Sequence, residues 1–232
     1  VSTGTMTPTQ YVQNVLVGNG VAVSNVTFSG DANQIGEFNG TATSPFIGLN
    51  GGLIMATGDV NVAVGPNNTG SASLPGGNTG AGDADLDILE GSGVGTNDAA
   101  ILEFDFIPTG DTVKFNFVFA SEEYPEYVNS INDVFGFFLS GPGVSGPFSG
   151  GAANIALVPG TSTPISINTV NSGANPSYYV DNTINTSGPE IQFDGYTVPM
   201  TATSVVQCGQ LYHIKIAIAD ASDTSWDSGV FQ

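Results

Sequence analysis

Positive charge is almost absent from these 232 residues. There is no arginine, only two lysines (Lys114 and Lys215) and one histidine (His213), against 21 acidic side chains, for a formal net charge of −19. A surface of that sign repels nucleic acid and anionic membranes, so neither is expected as a partner. Cysteine is equally scarce: a lone Cys208 excludes an internal disulfide. Free cysteines pack as small hydrophobes, so Cys208 is expected to be buried and inert. No run approaches the roughly 20 apolar residues that span a bilayer. No basic, apolar leader opens the chain, and the N-terminus reads as already processed or excised.

What is present is a 40% hydrophobic fraction, enough at this length for a core that needs no disulfide staples. The apolar residues fall in short alternating runs separated by glycine, proline and asparagine. Residues 7–18 are the one helix expected, with Thr7 as cap, Pro8 in the first turn and Gly18 as stop. Strands are expected at 21–28, 53–57, 99–106, 112–120, 133–140, 154–158, 163–168, 190–195 and 211–219. In 112–120, Val113, Phe115, Phe117 and Phe119 share one face. In the last run Tyr212, Ile214, Ile216 and Ile218 point inward, with His213 and Lys215 opposite. The turn at 108–111 pairs 99–106 with 112–120 as a hairpin. Residues 65–82, rich in Gly, Asn, Ser and Pro, form a long loop held by packing, metal or a neighbouring subunit. Together these features predict one all-β domain over 1–232. It is a two-sheet antiparallel β-sandwich, jelly-roll-like, with a short N-terminal helix.

The carboxylates are not spread evenly. Glu122, Glu123 and Asp133 bracket the connection between two core strands. Asp220, Asp223 and Asp227 share a loop beside the lone tryptophan. Asp83, Asp85 and Asp87 open like an EF-hand loop, but Ile88 stands where the sharp-turn glycine belongs and Val94 where the bidentate glutamate belongs. That third group either ligates irregularly or caps a short helix, and Asp181 is a weaker fourth place. Adjacent carboxylates repel unless a proton or cation intervenes. Calcium, which takes six to eight oxygens, is the expected ion, against the alternative of a merely solvated acidic surface. Tyr124, Tyr127, Tyr178, Tyr179 and Trp226 are the aromatics that depart from core periodicity, and Tyr178, Tyr179 and Trp226 are read as a ligand platform.

Several long motifs resemble the choice-of-anchor L domain of bacterial extracellular proteins. They are the run from Phe119-Ala120-Ser121-Glu122-Glu123-Tyr124-Pro125 to Asn129, and Asn132-Asp133-Val134-Phe135-Gly136-Phe137-Phe138. Further stretches are 154–161, Tyr178-Tyr179-Val180-Asp181-Asn182, 212–220 and Asp227-Ser228-Gly229-Val230-Phe231. The resemblance implies export and a place at the cell surface or in the secreted fraction, and little about activity. The expected role is a calcium-stabilised, non-enzymatic structural or adhesive protein. It would self-associate, even as the repeating subunit of a filament or matrix, or meet another surface protein or glycan. A carbohydrate-binding module is the second reading. A glycoside hydrolase using Glu123 and Asp227 as paired carboxylates is the third. His213 and Cys208 are not read as a catalytic couple or a zinc site, having too few ligands.

Overall fold

The computed structural model describes residues 1–17, 20–40, 47–74, 80–188 and 191–232. Gly18, Glu190 and residues 75–79 of the long loop lie outside them. In chain order the elements are β1 (Ser2–Thr3), α1 (Pro8–Tyr11), β2 (Ala22–Ser29), β3 (Ile35–Asn39), β4 (Gly51–Ala56), α2 (Ala84–Glu90), β5 (Thr96–Ile107), β6 (Thr112–Ser121) and β7 (Val134–Ser140). They continue with β8 (Ala153–Asn154), β9 (Ile165–Ser166), β10 (Tyr179–Asp181), β11 (Gly195–Thr197), β12 (Met200–Val205), β13 (Tyr212–Ala221) and β14 (Ser228–Phe231). Two antiparallel sheets result, as alternation predicts. The larger runs β1-β3-β4-β14-β6-β11-β10, with β12 also on β6; the smaller runs β2-β5-β13-β7-β8, with β9 also on β7.

Between the sheets, Phe115, Phe117 and Phe119 of β6 meet Phe135 and Phe137 of β7, and the Phe117–Phe135 ring centroids are 5.4 Å apart. Each fully buried ring of this kind contributes about 1.5–3 kcal/mol, and a tilted or edge contact adds about 1 kcal/mol. Tyr212, Ile214, Ile216 and Ile218 join the same core from β13. The opposite faces are covered too. Val118 and Ala120 pack with Phe193, Phe231 and Ile54. Ala217 and Ala219 pack with Leu86 of α2 and Phe138. Both central strands are therefore buried on two sides, and this is where α2 and the loops gain their stability.

The expected hairpin of 99–106 with 112–120 does not form. β5 pairs with β13 and β2 in the smaller sheet, whereas β6 pairs with β14, β11 and β12 in the larger. The turn at 108–111 carries the chain from one sheet to the other. A local turn signal cannot distinguish that crossing from a hairpin, because both strands keep an apolar face toward the same core. The N-terminal helix is shorter than its stripe suggests. Thr7 and Gln10 form a capping box over α1, but the helix then widens into a π turn over Val12–Leu16. The runs at 154–158 and 163–168 contribute the two-residue pairings of β8 and β9 on β7 and one antiparallel bridge between them, Leu157 to Pro164. Cys208 is exposed rather than buried. It sits in the turn joining β12 to β13, where Gly209 N–H donates to the Pro108 carbonyl, outside either alternating run.

Candidate functional site: a buried carboxylate pole

Antiparallel pairing gathers six strand ends at one pole of the sandwich. β4, β6 and β13 finish there, while β5, β7 and β14 start there. The loops that follow or precede those ends carry the acidic residues singled out from the sequence. Glu122, Glu123, Asp133, Asp220 and Asp227 are all buried, from 0% to 3% exposed. Sequence position alone would leave them as solvated loop carboxylates. Segments distant in sequence pack over them: Ala72 and Leu74 reach Glu122 and Asp227, and Ala221 and Ser228 reach Asp133.

Consecutive residues at the end of β6 part ways. Glu123 lies in the field of Asp133, Asp223 and Glu126. Neither of its carboxylate oxygens has a hydrogen-bond partner. Loss of hydration, reinforced by those three acids, pushes its pKa up to about 9. Asp133 accepts from the Ala221 N–H (3.0 Å) and the Ser228 hydroxyl (2.6 Å). It also shares a hydrogen bond with Asp220, so one of the two must carry a proton or give way to a cation. Burial raises Asp133 to about 7 and holds Asp220 well above the ordinary carboxylate range, with Asp133 adding to the latter. Oδ1 of Asp220 has no partner. Asp227 accepts from Leu74 N–H (2.8 Å) and the Ser73 hydroxyl (3.3 Å), and burial lifts it to about 6. Asp223 is half-buried, accepting from Ser225 N–H in its own turn.

Glu122 faces the other way. Its Oε2 accepts from Ala72 N–H (3.1 Å), while Oε1 is buried without a partner. Desolvation, then the charges of Asp194 and Asp227, raise its pKa to about 8. Two members of the pole were not picked out from the sequence. Asp98 is 1% exposed and Asp194 0%, both raised by burial. Asp98 sits at the start of β5 with φ 53 and accepts from Gly80 N–H. Asp194 stands between buried Phe193 and Gly195 at the bend that enters β11, and its Asp-Gly step reads in sequence as an ordinary turn.

The Asp83, Asp85, Asp87 group stands apart from these carboxylates and follows the helix-capping alternative. Asp83 caps α2 through Asp85 N–H and Leu86 N–H, both 3.1 Å. Asp83 and Asp85 then grip Lys215 of β13 at 2.5 and 2.9 Å. Burial opposes charge on Asp85, but the Ser149 N–H and hydroxyl and Lys215 outweigh it and hold its pKa below the usual value. Asp87 accepts from the Thr96 N–H and hydroxyl, both 2.7 Å. His213 shares the face of Lys215 and bridges Glu103 and Asp105 at 3.3 and 2.8 Å. Two of the three aromatics of the expected platform, Tyr179 and Trp226, have separate ring partners. Tyr179 packs on buried Tyr124 (4.9 Å), Trp226 stacks on Tyr127 (4.4 Å), and Tyr178 lies half-buried against the inter-sheet core. Asp181 is exposed and holds its own turn through Thr183.

Among the described residues, no three His, Cys, Asp or Glu side chains converge as a ready-made metal cage. Amide, hydroxyl and backbone groups hold several of these carboxylates, as Ala221 N–H and the Ser228 hydroxyl do for Asp133. No helix among the described residues is long and apolar enough to cross a membrane. A family model described as Choice-of-anchor L domain matches residues 1–232. Neither the curated proteins nor the solved structures include a match. The family is one of surface-associated proteins. The chain belongs to the choice-of-anchor L domain family.

Proposed function

We propose that this chain is a non-catalytic structural or adhesive module of a surface protein, and that calcium neutralises its buried carboxylate pole. The observation that carries the reading is Glu123, 0% exposed with both carboxylate oxygens unpartnered. An ionised carboxylate left in that state costs several kcal/mol. Neither lysine relieves it: Lys215 is committed to Asp83 and Asp85, and Lys114 stands on β6 at its β12-paired end, away from the pole. Calcium suits the donor set, since it draws its six to eight oxygens from Asn side chains, backbone carbonyls and water as well as from carboxylates. Carboxylates with such neighbours meet that need without a three-acid cage.

Burial also argues against glycoside hydrolysis. Glu123 and Asp227 are 0% and 3% exposed, which leaves a glycosidic bond no route to either. For adhesion or assembly the partner of choice is a second copy. β2 is an eight-residue edge strand of the smaller sheet with one side unpaired among the described residues, open to strand addition. Calorimetric titration of chelated protein tests the calcium reading. Binding heat, with a rise in melting temperature at millimolar calcium, is expected; no heat and no shift would reject it. Electron microscopy at high protein concentration tests assembly, which a monodisperse monomer would refute.

A further inference from the structure

The two adjacent glutamates that follow β6, in the turn after Ser121, serve different places. Glu123 turns toward Asp133 and Asp223, and Glu122 turns toward Asp194. On the Glu122 side, two carboxylate oxygens, Glu122 Oε1 and Asp194 Oδ2, are both buried and have no partner within hydrogen-bond geometry, with the Gln192 side chain and the Ile184 N–H the further polar groups acting on Glu122 and Asp194. The residues that carry them are 1% and 0% exposed. Their other oxygens are held in place. Ala72 N–H donates to Glu122 Oε2 at 3.1 Å, and Asn67 Nδ2 donates to Asp194 Oδ1 at 2.5 Å. Neutral oxygens border the pair: Gln192 Nε2 reaches both Asn67 Oδ1 (3.0 Å) and the Thr69 carbonyl (2.8 Å), and Asn67 Nδ2 also reaches the Asn182 carbonyl (2.9 Å). The backbone presses in as well, since a Cβ added at Gly70 would stand 3.2 Å from Asp194 Oδ2. Nothing cationic from the protein is present to serve these two acids.

We propose a second divalent-cation site here, between Glu122 and Asp194, which fastens residues 67–72 onto the outer side of β11 and the end of β6. It rests on the calcium reading above and adds to it a separate site with its own task. The arrangement gives residues 67–72 a reason to be ordered. The loop supplies Asn67 Nδ2 and Ala72 N–H to the carboxylates, and the cation ties those contacts to strands far away in sequence. The neighbouring acids Asp227, Asp181 and Glu126 add negative potential from the packed elements, which favours a divalent ion over a monovalent one. Two carboxylates sharing one proton is the competing arrangement, and it needs no metal.

Hydrogen exchange on the full chain, with calcium as the only added probe, separates these cases. In wild type, calcium at ten times Kd is expected to slow exchange roughly tenfold both at 67–72 and at 220–228. Asp194→Asn keeps the shape and should lose the slowing at 67–72 while keeping it at 220–228. Glu122→Gln should behave the same way and stands in if Asp194→Asn does not fold. If both variants retain the slowing at 67–72, the second site is wrong while calcium binding elsewhere stands. If calcium slows nothing in wild type, the calcium reading itself fails, and the shared proton explains the pair.

Discussion

Glu123→Gln offers a test in which the sign of the effect depends on whether a cation is present. Glu123 has an ordinary pKa of 4.5 when the chain is unfolded and about 9 when folded. The folded state therefore holds the proton more tightly. Its favourable contribution is complete below pH 4.5 and is lost as pH rises through about 9. At pH 7 the unfolded chain has released the proton and the folded one has not, a gap of 2.5 pH units from the ordinary pKa. At about 1.4 kcal/mol per unit, roughly 3 kcal/mol of stability is gone at pH 7 relative to acid. Glutamine fills the same volume and does not titrate. In chelator at pH 7 the variant should thus be more stable than wild type by about 3 kcal/mol, or about 6–12 °C in melting temperature for a chain of this size. With saturating calcium the order should reverse, because wild type gains a ligand that the variant cannot hold. Glu122, Asp133 and Asp227, raised to about 8, 7 and 6, slope the same way. Chelated wild type should therefore lose stability steadily from pH 5 to pH 9. Asp85 and Asp105, whose pKa values are lowered, act with the opposite sign, below the usual carboxylate range. Urea denaturation with and without chelator at pH 5, 7 and 8.5 reads all of this. A wild type that grows more stable from pH 5 to 8.5 in chelator, or a Gln variant less stable than wild type there at pH 7, would refute the reasoning.

Two further outcomes follow from the geometry away from the pole. Lys215→Met leaves Asp83 and Asp85 without their cation while filling the space over Phe138, so about 3–5 kcal/mol should be lost at neutral pH in denaturant titrations. A loss under 1 kcal/mol would mean that α2 is held by Leu86 and its capping alone. Cys208, exposed in its turn, should label fully and quickly with a thiol reagent in the native protein, and labelling only after unfolding would show that the turn is covered.

The resemblance to the family, the all-β class and the inward faces of the central strands were legible because a strand's two-residue period is written directly into apolar spacing. Phe115, Phe117 and Phe119 point into the core for that reason. The Asp83 helix cap was legible as one of two alternatives, since an Asp before a short apolar run suits both a cap and a calcium loop. The partner of each strand was not legible. The turn at 108–111 looks the same whether it folds 99–106 back on 112–120 or sends the chain across to the other sheet, and only long-range pairing with β13 and β14 decided between them. The acid clusters were visible as clusters, but their burial was not. Asp98 and Asp194 became members of the pole only when strand ends 96 residues apart in sequence were brought to one end of the sandwich.

The sequence by itself determined the composition of the problem: a strongly acidic chain with almost no cations, arranged in short strands with acids at their ends. The tertiary structure alone decided that those acids would be dehydrated together. Burial depends on what packs over a side chain, and here that covering comes from loops and strands distant along the chain. The physical consequence, carboxylates that need a proton or a cation to remain folded, belongs to the assembled pole and to no single stretch of sequence.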